Sequence, residues 1–87
     1  MNNSIYKAGI NQAFAGKYFS EVANILYHEF QVIFFAVATR IHDRKHLLVN
    51  PGRGYMLRST DECFFISHTF SVVEQITEMV KHSFLNV

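Results

Sequence analysis

Asn50-Pro51-Gly52-Arg53-Gly54-Tyr55-Met56-Leu57-Arg58-Ser59-Thr60-Asp61-Glu62-Cys63-Phe64-Phe65-Ile66-Ser67 is the stretch around which the rest of the chain is read. It opens with a turn, because Pro51 presets φ and Gly52 admits the positive φ that a following corner demands. A backbone role is therefore expected at Gly52, where a β-branched residue should strain the turn. Tyr55, Met56 and Leu57 form a short half-apolar piece that ends at the polar turn Ser59-Thr60-Asp61. Cys63 to Ile66 is an apolar run of strand length.

Upstream, Leu47, Leu48 and Val49 run directly into that turn as a strand. Gln31 to Thr39 is apolar on both alternating sets: Val32, Phe34, Ala36 and Ala38 on one, Ile33, Phe35 and Val37 on the other. Such a strand is expected to be central and covered on both faces. Arg40 to Lys45 reads as a charged connection, longer than a tight two-residue hairpin. Ser20 offers an N-cap with Glu21 in the first turn, and Phe19, Val22, Ala23, Leu26 and Phe30 recur at helical spacing. The spacing predicts a helix over Ser20–His28. Downstream, Ser71 and Glu74 match the capping-box pattern, and Val72, Val73, Ile76, Met79, Val80 and Phe84 supply a second helical stripe.

The N-terminal part is less patterned. Ala13-Phe14-Ala15-Gly16 reads as a short strand or extended segment closed by an ordinary turn glycine. Residues 1–12 show no clean period and read as an irregular N-terminal segment, leaving 13–87 as the domain. Ile5, Tyr6 and Ile10 are placed to dock on the core or to continue into whatever lies upstream. The layout of short strand, helix, three strands and helix is that of an α+β domain, a small sheet with helices packed on it.

The chain of 87 residues is the size of one small domain or a piece of a larger one. Its 49% apolar and 17% charged composition is globular. Nine Phe and four Tyr are many for a core this small, so part of that surface is expected to face another subunit or lobe. A net charge of +1 argues against a nucleic-acid binder, which concentrates basic residues. A single cysteine excludes an internal disulfide and suits a reducing compartment. The longest apolar run, Val32 to Ala38, falls far short of the roughly 20 residues that span a bilayer, and the N-terminus lacks a signal-peptide core. The chain is expected to be soluble in isolation and, in any membrane protein, an extramembrane part.

Chemistry-bearing constellations are few. His42, Asp43 and His46 lie close together, but beside Arg40, Arg44 and Lys45, whose charges oppose a cation. Cys63 and His68 are the other metal candidates, and no zinc spacing joins them. The expected state is surface histidines and a core cysteine. His28 and Glu29 are sequence neighbours, which do not face one another on a helix. With no phosphate loop and no nucleophile motif, an enzyme is not expected. Ser59, Thr60 and Asp61 read as turn formers bonding nearby backbone amides. The basic cluster of Arg40, Arg44 and Lys45 with His42 and His46 offers a surface to an anionic ligand or an acidic partner, but reads first as a solvated hairpin tip.

The order of these pieces resembles the C-lobe of RCK domains (regulators of K⁺ conductance), where an Asn-Pro-Gly turn leads to a Thr-Asp or Gly-Asp turn and an apolar strand. With Asn50-Pro51-Gly52 and Asp61-x-Cys63-Phe64-Phe65-Ile66, the variant here is most similar to Slo-type, calcium- or sodium-activated (BK-like) potassium channels. The likeness starts at Ala13-Phe14-x-Gly16-x-x-Phe19 and extends to Phe84, with a final helix that also resembles the TrkA carboxy-terminal domain. It implies a cytoplasmic gating-ring module with no pore in this chain, coupling ligand binding and assembly to the gate. No cofactor is required, and the resemblance implies regulation by Ca²⁺ or Na⁺. The family's calcium ligands lie partly in an N-lobe that this chain does not contain, so Asp61 and Glu62 are the ligand candidates here. Implied partners are further copies or other RCK lobes, met through Phe64, Phe65, Val72, Ile76 and Met79, with the membrane reached only through a parent channel. A rival from another class is a stand-alone metabolite- or metal-binding module. An upstream reading frame with pore helices and a Gly-Tyr-Gly or Gly-Phe-Gly filter separates the two.

Overall fold

The computed structural model of the chain describes residues 3–79. Strand β1 (Ser4–Gly9) is followed by helix α1 (Phe19–Phe30), strands β2 (Ile33–Ile41), β3 (Arg44–Val49) and β4 (Glu62–Ser67), and helix α2 (Phe70–Glu78). The strands form one antiparallel sheet in the order β1-β4-β2-β3. Both helices pack on one face of it. Val22 and Leu26 of α1 and Val73 and Ile76 of α2 share a core with Phe34, Val37, Cys63 and Phe65 of the inner strands. No helix of the described residues is long and apolar enough to cross a membrane.

The expected order of elements holds, but the short first strand lies elsewhere. It is Ser4–Gly9, within the segment expected to be irregular, paired with β4 from Ser4↔Ser67 to Gly9↔Glu62. Its period is masked because both faces carry apolar residues: Tyr6 and Ala8 lean on the core while Ile5 stays 66% exposed. Ala13 to Gly16 is a turn instead of a strand. The Asn11 side-chain oxygen accepts the Ala13 N–H at 2.8 Å, and the Phe14 N–H bonds the Asn11 carbonyl at 2.9 Å. This Asx-type bonding outcompetes an extended backbone. Gly16 is the turn glycine expected, and its φ of +86° is the region that L-residues avoid.

Helix α1 contains the expected stripe, with Phe19, Val22 and Leu26 buried. It starts at Phe19, and Ser20 does not cap it; the Phe19 N–H bonds the Tyr55 carbonyl at 2.9 Å instead. Gln31 ends the helix in the left-handed region, its N–H bonding the Tyr27 carbonyl at 3.0 Å as in an αL cap. Helix α2 is likewise not closed by the expected capping box. Its N-cap is Thr69, and Ser71 lies inside the first turn with its hydroxyl 3.1 Å from that of Thr69. Val80 and Phe84 of the second stripe lie outside the described residues.

The connection between β2 and β3 is tighter than expected. Pairing runs to Ile41↔Arg44, leaving only His42 and Asp43, both at positive φ (51° and 64°), as a type I′ turn. After β3 the left-handed residue is Asn50 (φ 44°), whose N–H bonds the Phe35 carbonyl at 2.6 Å. Gly52 has no positive φ, and a Cβ built on it meets nothing within 4 Å, so its expected backbone role is not present. The segment that follows is zipped to the turn before α1: Gly16 and Lys17 exchange bonds with Leu57 at 2.8 Å each, and Met56 bridges Tyr18.

β2 is an inner strand, as expected, and its middle is buried on both sides, Ala36 and Ala38 being 0% and 4% exposed although both helices lie on the other face. A bulge between Phe34 and Ala36 turns Phe34 and Val37 to the helices and Ala36 and Ala38 to the other side. Phe34 stacks between Phe19 (ring centroids 4.5 Å apart) and Phe65 (5.1 Å). Truncating Phe34 to Ala is expected to cost about 3–5 kcal/mol in denaturant unfolding, with Phe35→Ala, half-buried on the far face, costing clearly less. Equal losses at the two positions would refute the face assignment. Gly16→Val is expected to lower the melting temperature by strain of about 1–2 kcal/mol, and Gly52→Val to leave it unchanged.

Candidate functional site

One buried carboxyl side chain, Asp61, organises the end of the sheet from which the loop 50–61 enters β4. Asp61 is 2% exposed. Its Oδ2 accepts the Tyr55 hydroxyl at 2.6 Å and the Arg58 backbone N–H at 3.0 Å, while Oδ1 is buried with no partner among the described residues. The Asp61 carbonyl accepts the Ile10 N–H at 3.3 Å, which ties the end of β1 to the same turn. Arg58 reaches across to β2, donating from Nη1 to the Arg40 carbonyl at 2.8 Å and the Thr39 hydroxyl at 3.4 Å. Asp61 thus does what a turn former does. Burial first, and then the bond to Asp61, raise the Tyr55 pKa above its ordinary value.

Glu62 is the next residue, and strand alternation sends it to the opposite face. There Lys45 Nζ lies 3.0 Å from Oε1 and Lys7 Nζ 3.9 Å from Oε2. The bond from Lys45 holds the Glu62 carboxyl below its usual range. Asp61 and Glu62, the two candidate ligands, are therefore not brought together. Among the described residues no group of three His, Cys, Asp or Glu side chains is placed to hold a metal ion. His28, His42, His46 and His68 are exposed, and Cys63 is fully buried. Burial, followed by the charges of Asp61 and Glu62, pushes the Cys63 thiol up to about 12, so it stays protonated and inert near neutrality.

The face of the sheet away from the helices is open. It carries Ile5, Ile33, Leu47 and Val49, respectively 66%, 45%, 59% and 59% exposed, with half-buried Phe35, Phe64 and Ile66 between them. At its charged end Ala38, Thr39, Arg40, Lys45, Thr60 and Glu62 line an open cleft of about 250 Å³. The assembly residues expected from the sequence divide accordingly. Phe65 and Ile76 are 1% and 0% exposed inside the chain's own core and offer no surface, and Val72 and Met79 pack partly against that core. Only Phe64 lies on the open face. Sequence reading found the basic residues Arg40 and Lys45 of the cleft but not the exposure of Ile33, Leu47 and Val49, because apolar letters alone do not say which face of a sheet the helices cover.

The Tyr55–Asp61 bond has a pH signature. A tyrosine whose folded-state pKa is raised stabilises the fold fully below the unfolded value near pH 10, and that contribution fades as pH climbs through the folded value. Tyr55→Phe is expected to cost about 2 kcal/mol at neutral pH and to flatten the alkaline limb of the stability curve. Urea unfolding across the alkaline range measures both; an unchanged limb would mean that Tyr55 is not the titrating group.

No protein-family model matches the chain, and no curated protein matches it. Among solved structures it is similar to the human SLO3 gating ring, with 26% identity and a TM-score of 0.72, covering 85% of this chain and 13% of that one. It is also similar to the GsuK RCK domain, with 16% identity and a TM-score of 0.61, covering 84% of this chain and 15% of that one. At 16% identity the second likeness speaks to fold alone. The chain thus spans a small share of the structures it matches. Its four-stranded antiparallel sheet with two helices on one face is the fold they share, and the chain is an RCK-like α+β domain.

Proposed function

We propose that the chain is a non-enzymatic regulatory lobe of gating-ring type from a Slo-like potassium channel, working on the cytoplasmic side together with other RCK lobes. The likeness to the human SLO3 gating ring over 85% of the chain carries this reading. The geometry supports a mechanical part. Asp61 Oδ2 is bonded to Tyr55 and Arg58, and Glu62 is paired with Lys45 and Lys7, so both stiffen the lobe. An uncovered apolar sheet face gives a rigid lobe something to push against. Assembly with further lobes is assigned to that face, with Phe64 as its contact from the expected set.

Replacing the matched segment of a full-length Slo channel by this chain tests the reading in membrane patches. The chimera is expected to open with shifted gating, whereas a Gly-Ser segment of the same length should give channels that no longer respond. A chimera that reaches the surface as a tetramer yet never opens would overturn it. So would a Gly-Ser version that gates as well as the graft.

A further inference from the structure

The open face is not built like ordinary solvent-exposed sheet, which alternates apolar and polar positions. Its rows run Ile5–Ile66–Ile33, Lys7–Phe64–Ala36–Val49 and Gly9–Glu62–Ala38–Leu47, so the middle and one end are almost wholly apolar. Charge gathers around Glu62, the one carboxylate of this face among the described residues, which Lys45 and, from the middle row, Lys7 reach and beside which Arg40 lines the cleft. Arg40 spends one donor on the Asp43 carbonyl at 3.3 Å and keeps the rest of its guanidinium fork for the cleft. Cations outnumber carboxylates there.

We propose that this face docks an amphipathic helix of a partner polypeptide, its apolar stripe lying on Leu47, Val49, Phe64 and Ile33 and an acidic side chain entering the cleft between Arg40 and Lys45. Three considerations select that occupant. The inner strands β2 and β4 have spent their backbone bonds on each other and on their neighbours, so only an occupant whose own backbone is satisfied can lie across them; a helix meets that condition. At a strand spacing of about 4.8 Å the face is roughly 15–20 Å wide, enough for one or two helices about 10 Å across. Its area, on the order of 400 Å², is about half the roughly 800 Å² per partner of a stable dimer, so a second copy held by this face alone falls short. The excess of positive charge at the cleft selects an acidic flank over a basic one. The docking chemistry is the same inside or outside a channel.

Two synthetic amphipathic helices of equal length and identical leucine stripe provide the test, one flanked by Glu and the other by Lys at the end that meets the cleft. Each is titrated into the ¹⁵N-labelled full chain. The Glu helix is expected to move the amide signals of Leu47, Val49, Phe64, Arg40 and Lys45, and to bind roughly ten-fold more tightly than the Lys helix. Leu47→Asp should abolish binding and Lys45→Glu should reverse the preference between the two helices. Both side chains are exposed, so unchanged melting curves will show that the fold is kept. The proposal is overturned by equal binding of the two helices, by shifts confined to α1 and α2, or by no binding of the Glu helix. Sedimentation showing that the chain itself dimerises through Leu47 would equally overturn it, in favour of a second copy.

Discussion

A carboxylate that has lost its water must find its hydrogen bonds within the protein, and Asp61 finds them in Tyr55 and the Arg58 backbone. Those two bonds fix the loop between β3 and β4. The loop in turn supplies the Tyr55 carbonyl that starts α1 and the Leu57 groups that clasp residues 16 and 17. Leu57, 1% exposed, is carried into the core by the same path. Asn11 plays the matching part on the other side. Its amide donates to the carbonyls of Ile76 and Met79 at 2.8 and 2.7 Å, satisfying acceptors that the end of α2 leaves open. Two polar side chains thereby set where both helices begin or end on the sheet.

Much of the fold was legible because period and burial agree. Phe19, Val22 and Leu26 mark α1, and the alternation of Cys63, Phe65 and Ser67 marks the buried side of β4. The failures share one cause, which is that bonds made to distant residues leave no local trace. Ser20 and Ser71 look like caps, but a carbonyl contributed by Tyr55 meets the start of α1 and the N-cap of α2 is Thr69, in extended conformation. His42-Asp43 lacks the glycine that usually betrays a type I′ turn, so the hairpin looked longer than it is. Asn50 takes the left-handed conformation expected two positions later, at Gly52.

The site was less legible than the fold. Alternation cannot say which face of a doubly apolar strand is covered, and the bulge at Phe35 shifts the parity halfway along. Phe64 and Phe65 are indistinguishable as letters, yet one lies open and the other is sealed under the helices. Asp61 and Glu62 look like a pair of ligands until alternation sends them to opposite sides. What remains is a bonded interior and an open sheet face carrying exposed apolar residues.

The clasp between Asn11 and the end of α2 joins groups 65 positions apart, and β1 closes on β4 across a similar span. During synthesis neither contact can form until β4 and α2 have left the ribosome. Until then β1 has no strand to pair with, and Ile5 and Tyr6 remain in water. Closing so long a loop costs entropy before any bond rewards it, so completion of the sheet is the late step of folding. An N-terminal strand waiting with unpaired edges is a template for the wrong neighbour, and crowded nascent copies meet that hazard first.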